Sequence, residues 1–222
     1  NDTKKYNPFN FLTSINFFIG KPKGNWCPIS LLNKKNVLIV GPGDSVLKYR
    51  KVLEEFILKN KIYVICLNTT DNISNSLINL RVACHPLRIL SDAFFHNNSK
   101  NDLVLPISMM TKKIYEKIKL KNKKIFDYGL SIQKKNSIII KKNYCILPKP
   151  LAVGYSIAIA ISGKADRVFL AGFDGYKIDD PHNDETNQIF EILRKKYNQN
   201  FLVSLTPTKY NIKYKSINSF KL

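Results

Sequence analysis

A chain of 222 residues holds one α/β domain, or one domain with an appended arm, and at 44% hydrophobic it can bury a full core. No apolar run approaches the ~20 residues that a membrane-spanning helix needs. The formal charge of +20 invites a nucleic-acid partner, yet only five of the 36 basic residues are arginine (Arg50, Arg81, Arg88, Arg167, Arg194). Phosphate and base recognition favours the arginine fork.

Lysine pairs recur through the chain, mostly at the ends of predicted elements, and Asn and Ile are abundant beside them. Solvated surface lysine is therefore preferred to a nucleic-acid stripe, and a charge-driven nucleic-acid binder stays as the minor reading. Attraction to anionic substrates, or to the inner face of a membrane, is a secondary inference. Cys27, Cys66, Cys84 and Cys145 are widely spaced with no Cys-x-x-Cys. They read as reduced thiols of a cytoplasmic protein, neither a zinc site nor a disulfide frame.

Residues 1–35 mix aromatics with Pro, Gly and Asn and hold no period, as in Asn7-Pro8-Phe9-Asn10-Phe11-Leu12. They read as an arm, or as the link to an upstream domain. The chain opens with Asn1 and shows no signal-peptide pattern, which leaves open that it is a segment of a longer protein.

The regular pattern begins at Val37, and residues 36–222 are expected to form one domain. A strand over 37–41 runs into Gly41-Pro42-Gly43-Asp44-Ser45 and an amphipathic helix over 45–59. Strand 62–67 ends in a polar loop, Asn68-Thr69-Thr70-Asp71. A short helix near 72–79, strand 81–84 and a helix after Pro86 follow, then strand 103–105 and a helix over 109–120 with Ile114 and Ile118 on one face. Phe126, Ile138 to Ile140 and Tyr144 to Leu147 suggest short strands or a hairpin. Helix 151–162 is apolar all round, which marks a buried helix, and Gly163 caps it. Strand 167–171, the loop Gly172-Phe173-Asp174-Gly175-Tyr176, helix 184–197 and strand 200–205 complete the series. Repeated βα units predict an α/β fold, a mostly parallel sheet with helices on both faces.

Ligands of such sheets bind beyond the carboxyl ends of the strands. That rule gathers Gly41 to Ser45, Asn68 to Asp71, His85 and Asp174 to Tyr176 on one rim. A glycine turn before a helix exposes backbone N–H groups to a phosphate or ribose. Asp174 suits ribose hydroxyls or the orientation of a base, and equally a helix cap. Asn68 suits a base edge, and equally an Asx turn. His182, in the polar stretch Asp179-Asp180-Pro181-His182, reads as a loop residue and a candidate general base. His96 reads as surface. No Ser-His-Asp or Cys-His spacing stands out, and no carboxylate cluster has metal-ligand spacing.

The order strand–Gly41-x-Gly43-x-Ser45, strand–Cys66-x-Asn68, apolar helix ending in Gly163, strand–Ala171-Gly172-Phe173-Asp174-Gly175-Tyr176, then helix and strand resembles bacterial sialyltransferases that use CMP-sugars. It is similar also to the Rossmann-like domain of motility-accessory glycosyltransferases and of a pterin diphosphokinase. The resemblance covers residues 36–208. It implies a Rossmann-like, sialyltransferase-like domain that binds a nucleotide sugar, CMP-linked, and transfers it to a glycan acceptor without metal or other cofactor. It places Gly41, Gly43, Asn68, Asp174 and Tyr176 around CMP, and makes His182 the match for the family's catalytic base. The family's Asn between the glycines is Pro42 here, and its Thr-Ser-Gly turn before the buried helix is Pro150-Leu151-Ala152. A second resemblance, carried by Leu205-Thr206-Pro207-Thr208-Lys209-Tyr210-Asn211-Ile212, is to the C-terminal domain of polysaccharide-cluster proteins with an upstream pyruvate-aldolase-type barrel. It implies an accessory domain, and both resemblances imply surface polysaccharide biosynthesis.

Overall fold

The computed structural model describes residues 21–110, 115–116, 124–133, 136–176, 180–198 and 200–220. Strand β1 (Asn36–Val40) is buried along Val37 to Val40, and its side chains alternate between two cores. Val37 and Ile39 join one, Leu38 and Val40 the other. A strand with both faces covered has no need of polar alternation, which is why it reads as an unbroken apolar run.

β1 pairs in parallel with β2 (Tyr63–Leu67), from which β3 (Leu80–Val82), β4 (Leu103–Leu105) and β5 (Ile125–Asp127) continue outward. On its other side lie β9 (Arg167–Ala171), β10 (Leu202–Ser204) and β11 (Lys213–Tyr214). Among the described residues the sheet has the order β11-β10-β9-β1-β2-β3-β4-β5, and every pairing in it is parallel. The connections run outward in opposite directions from β1 and β9, so the topological switch point lies between their carboxyl ends. A second sheet holds β6 (Gly129–Ile132), β7 (Ile139–Ile140) and β8 (Tyr144–Leu147). The expected hairpin is β7 and β8, paired antiparallel, while β6 joins β8 in parallel.

Helix α1 (Ile29–Leu32) precedes β1. The expected helix 45–59 divides into α2 (Ser45–Lys48) and α3 (Arg50–Lys59) at Tyr49, whose ψ of 13° leaves helical geometry where its ring packs on the second core. Near 72–79 only a single 3₁₀ turn, Asn75–Leu77, forms. There Glu54 binds both Ser74 N–H and Ser74 Oγ, and Asn79 Oδ1 accepts from Val64 N–H, side-chain bonds that compete with a helix. Beyond β3 come α4 (Pro86–Ser91) and α5 (Ala93–Asn98). His96 is buried at 1% exposure while Phe94 stands 83% exposed, the reverse of the surface reading for His96. Residues two apart on a helix face nearly opposite ways, and packing rather than polarity decided which turned inward.

Helix α6 (Ala152–Ser162) is buried from Val153 to Ala160. It lies against β1, β2 and β3 on one side and β7, β8 and the last long helix, α7 (Pro181–Lys196), on others. That enclosure explains its all-round apolar sequence. Helix α7 starts three residues earlier than expected: Asp180 accepts from His182 N–H at 2.9 Å and Pro181 occupies the first turn, a cap signature that places His182 on the helix. Residues 1–20, Ile114, Ile118 and Asp179 lie outside the described residues. Trp26 and Leu32 belong to the main core, and the Trp26 ring lies 4.5 Å from that of Phe126. Among the described residues no helix is long and apolar enough to cross a membrane.

Candidate functional site

The loops after β1 and β9 meet at the switch point and bind each other. Gly41 N–H donates to Ala171 O (2.8 Å), Gly43 N–H to Gly172 O (2.9 Å), and Ser45 N–H to Asp174 Oδ2 (2.9 Å). Ser45 Oγ donates to Asp174 Oδ1, and Val46 N–H to Gly43 O. The N–H groups at Gly41, Gly43, Ser45 and Val46 are thus engaged within the protein, and Pro42 has none. Of the turn's N–H groups only that of Asp44 has no acceptor among the described residues, so the expected exposure to a phosphate is reduced to that one group. α2 has four residues, and a carboxylate already sits at its start. Asp174 is a clasp between the two loops, the capping alternative raised by the sequence, though on α2 rather than on the helix that follows it.

This clasp is also why glycine stands at 43. A Cβ there would lie 2.7 Å from Asp174 Cγ, Asp174 Oδ1 and Gly172 O. Gly43→Val is expected to cost ~1–3 kcal/mol as overpacking. At ~2–4 °C per kcal/mol for a chain of this size the melting temperature falls by several degrees. An unchanged melt would show that the loops separate freely.

Beside the clasp opens a cleft of about 340 Å³, within the range of small-ligand sites. Its floor is apolar: Leu67, Cys84, Val153 and Phe173. Gly43, Asn68, His85, Asp174 and Tyr176 all line it, so the rim rule brought residues of four loops together. Gly41 lies behind this lining, under the Phe173 ring. Ser45 opens with Asp174 onto a neighbouring groove. His182 stands outside the lining, its ring 5.3 Å from that of Tyr176.

The polar groups of the cleft are held by the fold. Asn68 adopts φ +49°, a left-handed conformation that favours Asn, with its N–H on Val82 O (2.8 Å). Arg81, buried in β3, donates to the carbonyls of Asn68 (3.3 Å) and Thr70 (2.7 Å) and fixes that loop. Asn183 on α7 pins Tyr176 by accepting from its N–H (2.9 Å) and donating to its carbonyl (3.2 Å). Burial lowers the His85 pKa below its ordinary value, which favours the neutral ring. Burial raises the Tyr176 hydroxyl, helped by Asp180 and Glu185, and pushes Tyr210 up to about 12. Both tyrosines remain hydrogen-bond donors at neutral pH. His182 Nδ1 lies 2.7 Å from Asp180 Oδ1, which fixes the ring and directs Nε2 away from that carboxylate. The His182 N–H and ring in turn hold Asp180 below the ordinary carboxylate range.

Sequence reasoning missed Arg88, Thr186, Tyr210 and the start of α6, all part of the cleft wall. Pro150 to Val153 bring the N-terminus of this 11-residue helix to the cleft, with Leu151 at the cap position and, among the described residues, no side chain capping it. Its first N–H groups and positive dipole end are the backbone feature that the glycine turn does not offer. The departure from Thr-Ser-Gly at Pro150-Leu151-Ala152 was the available signal.

The fold is similar to that of the MAf glycosyltransferase from Magnetospirillum magneticum AMB-1, with a TM-score of 0.57 at 10% identity. That match covers 94% of this chain and 38% of the MAf chain, so this chain spans well under half of its length. A mammalian sialyltransferase matches at 11% identity and a TM-score of 0.38, over 93% of this chain and 82% of that one. No family model and no curated protein sequence matches. The chain shares with the MAf structure a mostly parallel α/β fold.

Proposed function

We propose that this chain is a glycosyltransferase domain that takes a nucleotide sugar in the switch-point cleft and passes the sugar to a glycan hydroxyl, in surface polysaccharide biosynthesis. The observation that carries the reading is the convergence, in one cleft, of an uncapped helix N-terminus, Arg88, the Asn68 amide and two protonated tyrosines. The donor phosphate faces the α6 N-terminus with Arg88 at the mouth, and Asn68 reads the base or ribose. Tyr176 donates to the departing phosphate. The acceptor oxygen attacks the anomeric carbon, the bond from that carbon to the phosphate oxygen breaks, and the acceptor proton passes to His182 Nε2. Asp174 and Ser45 hold the wall against which this happens. The CMP preference rests on the resemblance to sialyltransferases in the motif order, and metal independence rests on it as well.

A thermal-shift panel of CMP, CDP, UDP, GDP and ADP tests the reading. A ligand at 100 times its Kd adds ~2.7 kcal/mol to folded-state stability. At ~2–4 °C per kcal/mol, the cytidine nucleotides are expected to raise the melting temperature by about 5–10 °C. The shift should survive EDTA and a change from ~50 to 200 mM salt, whereas a nucleic-acid site made of phosphate contacts would lose most of its affinity over that range. A panel with no shift removes the nucleotide from the proposal.

A further inference from the structure

A second cavity, of about 290 Å³, lies at the opposite ends of the helices that wall the switch-point cleft. Ile157 and Ile161 of α6, Leu193 and Tyr197 of α7, and Phe201 and Ile212 make it apolar. It shares no lining residue with the switch-point cleft. Two cations stand at its rim. Arg194 donates to Asn211 Oδ1 (2.8 Å) and Lys213 to Asn200 Oδ1 (3.0 Å), both neutral amides, and among the described residues neither cation has an ion-pair partner.

The C-terminal stretch that supplies much of the cavity wall is one-sided in charge. From Ile192 to Leu222 the sequence has seven Lys and Arg residues and no Asp or Glu, although the whole chain has 16 acidic residues. The nearest carboxylate along α7, Glu191, faces a separate polar groove with Asp184 and Lys209. β11, the edge strand beside the cavity, presents exposed Lys213 and Tyr214. Lysine with tyrosine around an apolar recess is the pattern of a surface that meets lipid headgroups, the cations reaching phosphate while the recess takes hydrocarbon.

We propose that this face docks on an anionic lipid surface, with a headgroup phosphate between Arg194 and Lys213 and the end of one hydrocarbon chain in the cavity. At ~30 Å³ for each water-sized group, the space holds about ten such groups, enough for a chain end. A nucleic acid would use the cations and leave the apolar recess empty.

Co-sedimentation of the whole chain with vesicles tests this, using equal parts phosphatidylcholine and phosphatidylglycerol against phosphatidylcholine alone. Binding is expected to the mixed vesicles only. Each cation near such a surface contributes about fivefold in affinity, so Arg194→Gln with Lys213→Gln should weaken binding about 25-fold. The same charge removed from the other face of the sheet, by Lys51→Gln with Lys59→Gln on α3, should change it little. Ile161→Trp, at a half-buried position, should fill the cavity and weaken binding while a normal melt shows that the chain still folds. Absence of binding to mixed vesicles overturns the proposal, as does equal binding to both kinds. An equal loss from the α3 pair would mean net charge alone. Displacement by duplex DNA, with Ile161→Trp binding as before, would mean a general polyanion patch; either result overturns the lipid site.

Discussion

His182→Ala is expected to lower turnover by ~10²–10⁴-fold, the usual contribution of a positioned general base, and to leave the CMP-induced thermal shift unchanged. The separation of the two effects follows from geometry. His182 lies outside the cleft lining, beside Tyr176 at its edge, so its ring is expected to have no part in holding the proposed nucleotide. It is half-exposed in the first turn of α7 and contributes no core, so the fold should persist. Asp180→Asn is the companion variant. Asparagine still caps α7, but it no longer offers the charge that orients Nδ1, so the rate should fall by less than with His182→Ala while stability holds. Full turnover in His182→Ala would remove this residue from the mechanism and leave the nucleotide site standing.

Arg81→Met is expected to cost ~2–6 kcal/mol, the scale of leaving the two loop carbonyls without donors at ~1–3 kcal/mol each. Arg81 is 1% exposed, and its guanidinium lies 4.8 Å from the Phe95 ring centre. It donates to Asn101 Oδ1 at 3.1 Å and to Asn75 Oδ1 at 3.4 Å, besides the carbonyls of Asn68 and Thr70. Burial lowers its pKa, partly offset by the charge of Asp71; its hydrogen-bond partners are carbonyl and amide oxygens. Methionine would fill most of the volume and leave the loop carbonyls without donors, each at ~1–3 kcal/mol where buried. Since Arg81 fixes the Asn68 backbone, nucleotide affinity should fall with stability. Lysine should not restore either, because one ammonium cannot span partners set around a planar fork. Denaturant unfolding together with the CMP thermal shift measures both. A variant within 1 kcal/mol of the parent, with its shift intact, would show that the Asn68 loop stands unaided.

Arg81 shows where sequence reading ends. In the sequence it is one of five arginines, preceded by Leu80 and followed by Val82. Nothing local distinguishes a strand arginine that points into a loop from one that points to water. The same holds for Thr186 and Tyr210, which reach the cleft from α7 and from the segment after β10. The polar neighbours of His182 carry no apolar period and so read as a loop, although Asp180-Pro181 is itself a helix-start signature. β6 has no clear signal in the sequence, because Gly129 and Ser131 interrupt its apolar pattern and its partner β8 lies at a distance in the chain.

Local physics was enough to determine the parallel strands, the buried helix and the rim. A strand covered on both faces must be apolar throughout, as Val37 to Val40 are, and a helix enclosed on all sides must be apolar all round, as Val153 to Ala160 are. Both constraints act residue by residue, so they are written in the order of the amino acids. The tertiary structure alone decided which groups of the rim remain available to a ligand. The N–H groups of Gly41, Gly43 and Ser45 depend on acceptors some 130 residues away in sequence, such as Asp174, to which Ser45 is bonded at a separation of 129. Hydrogen-bond capacity is settled by whichever partner the folded chain brings near. That is how the turn became a clasp and the open helix end passed to α6.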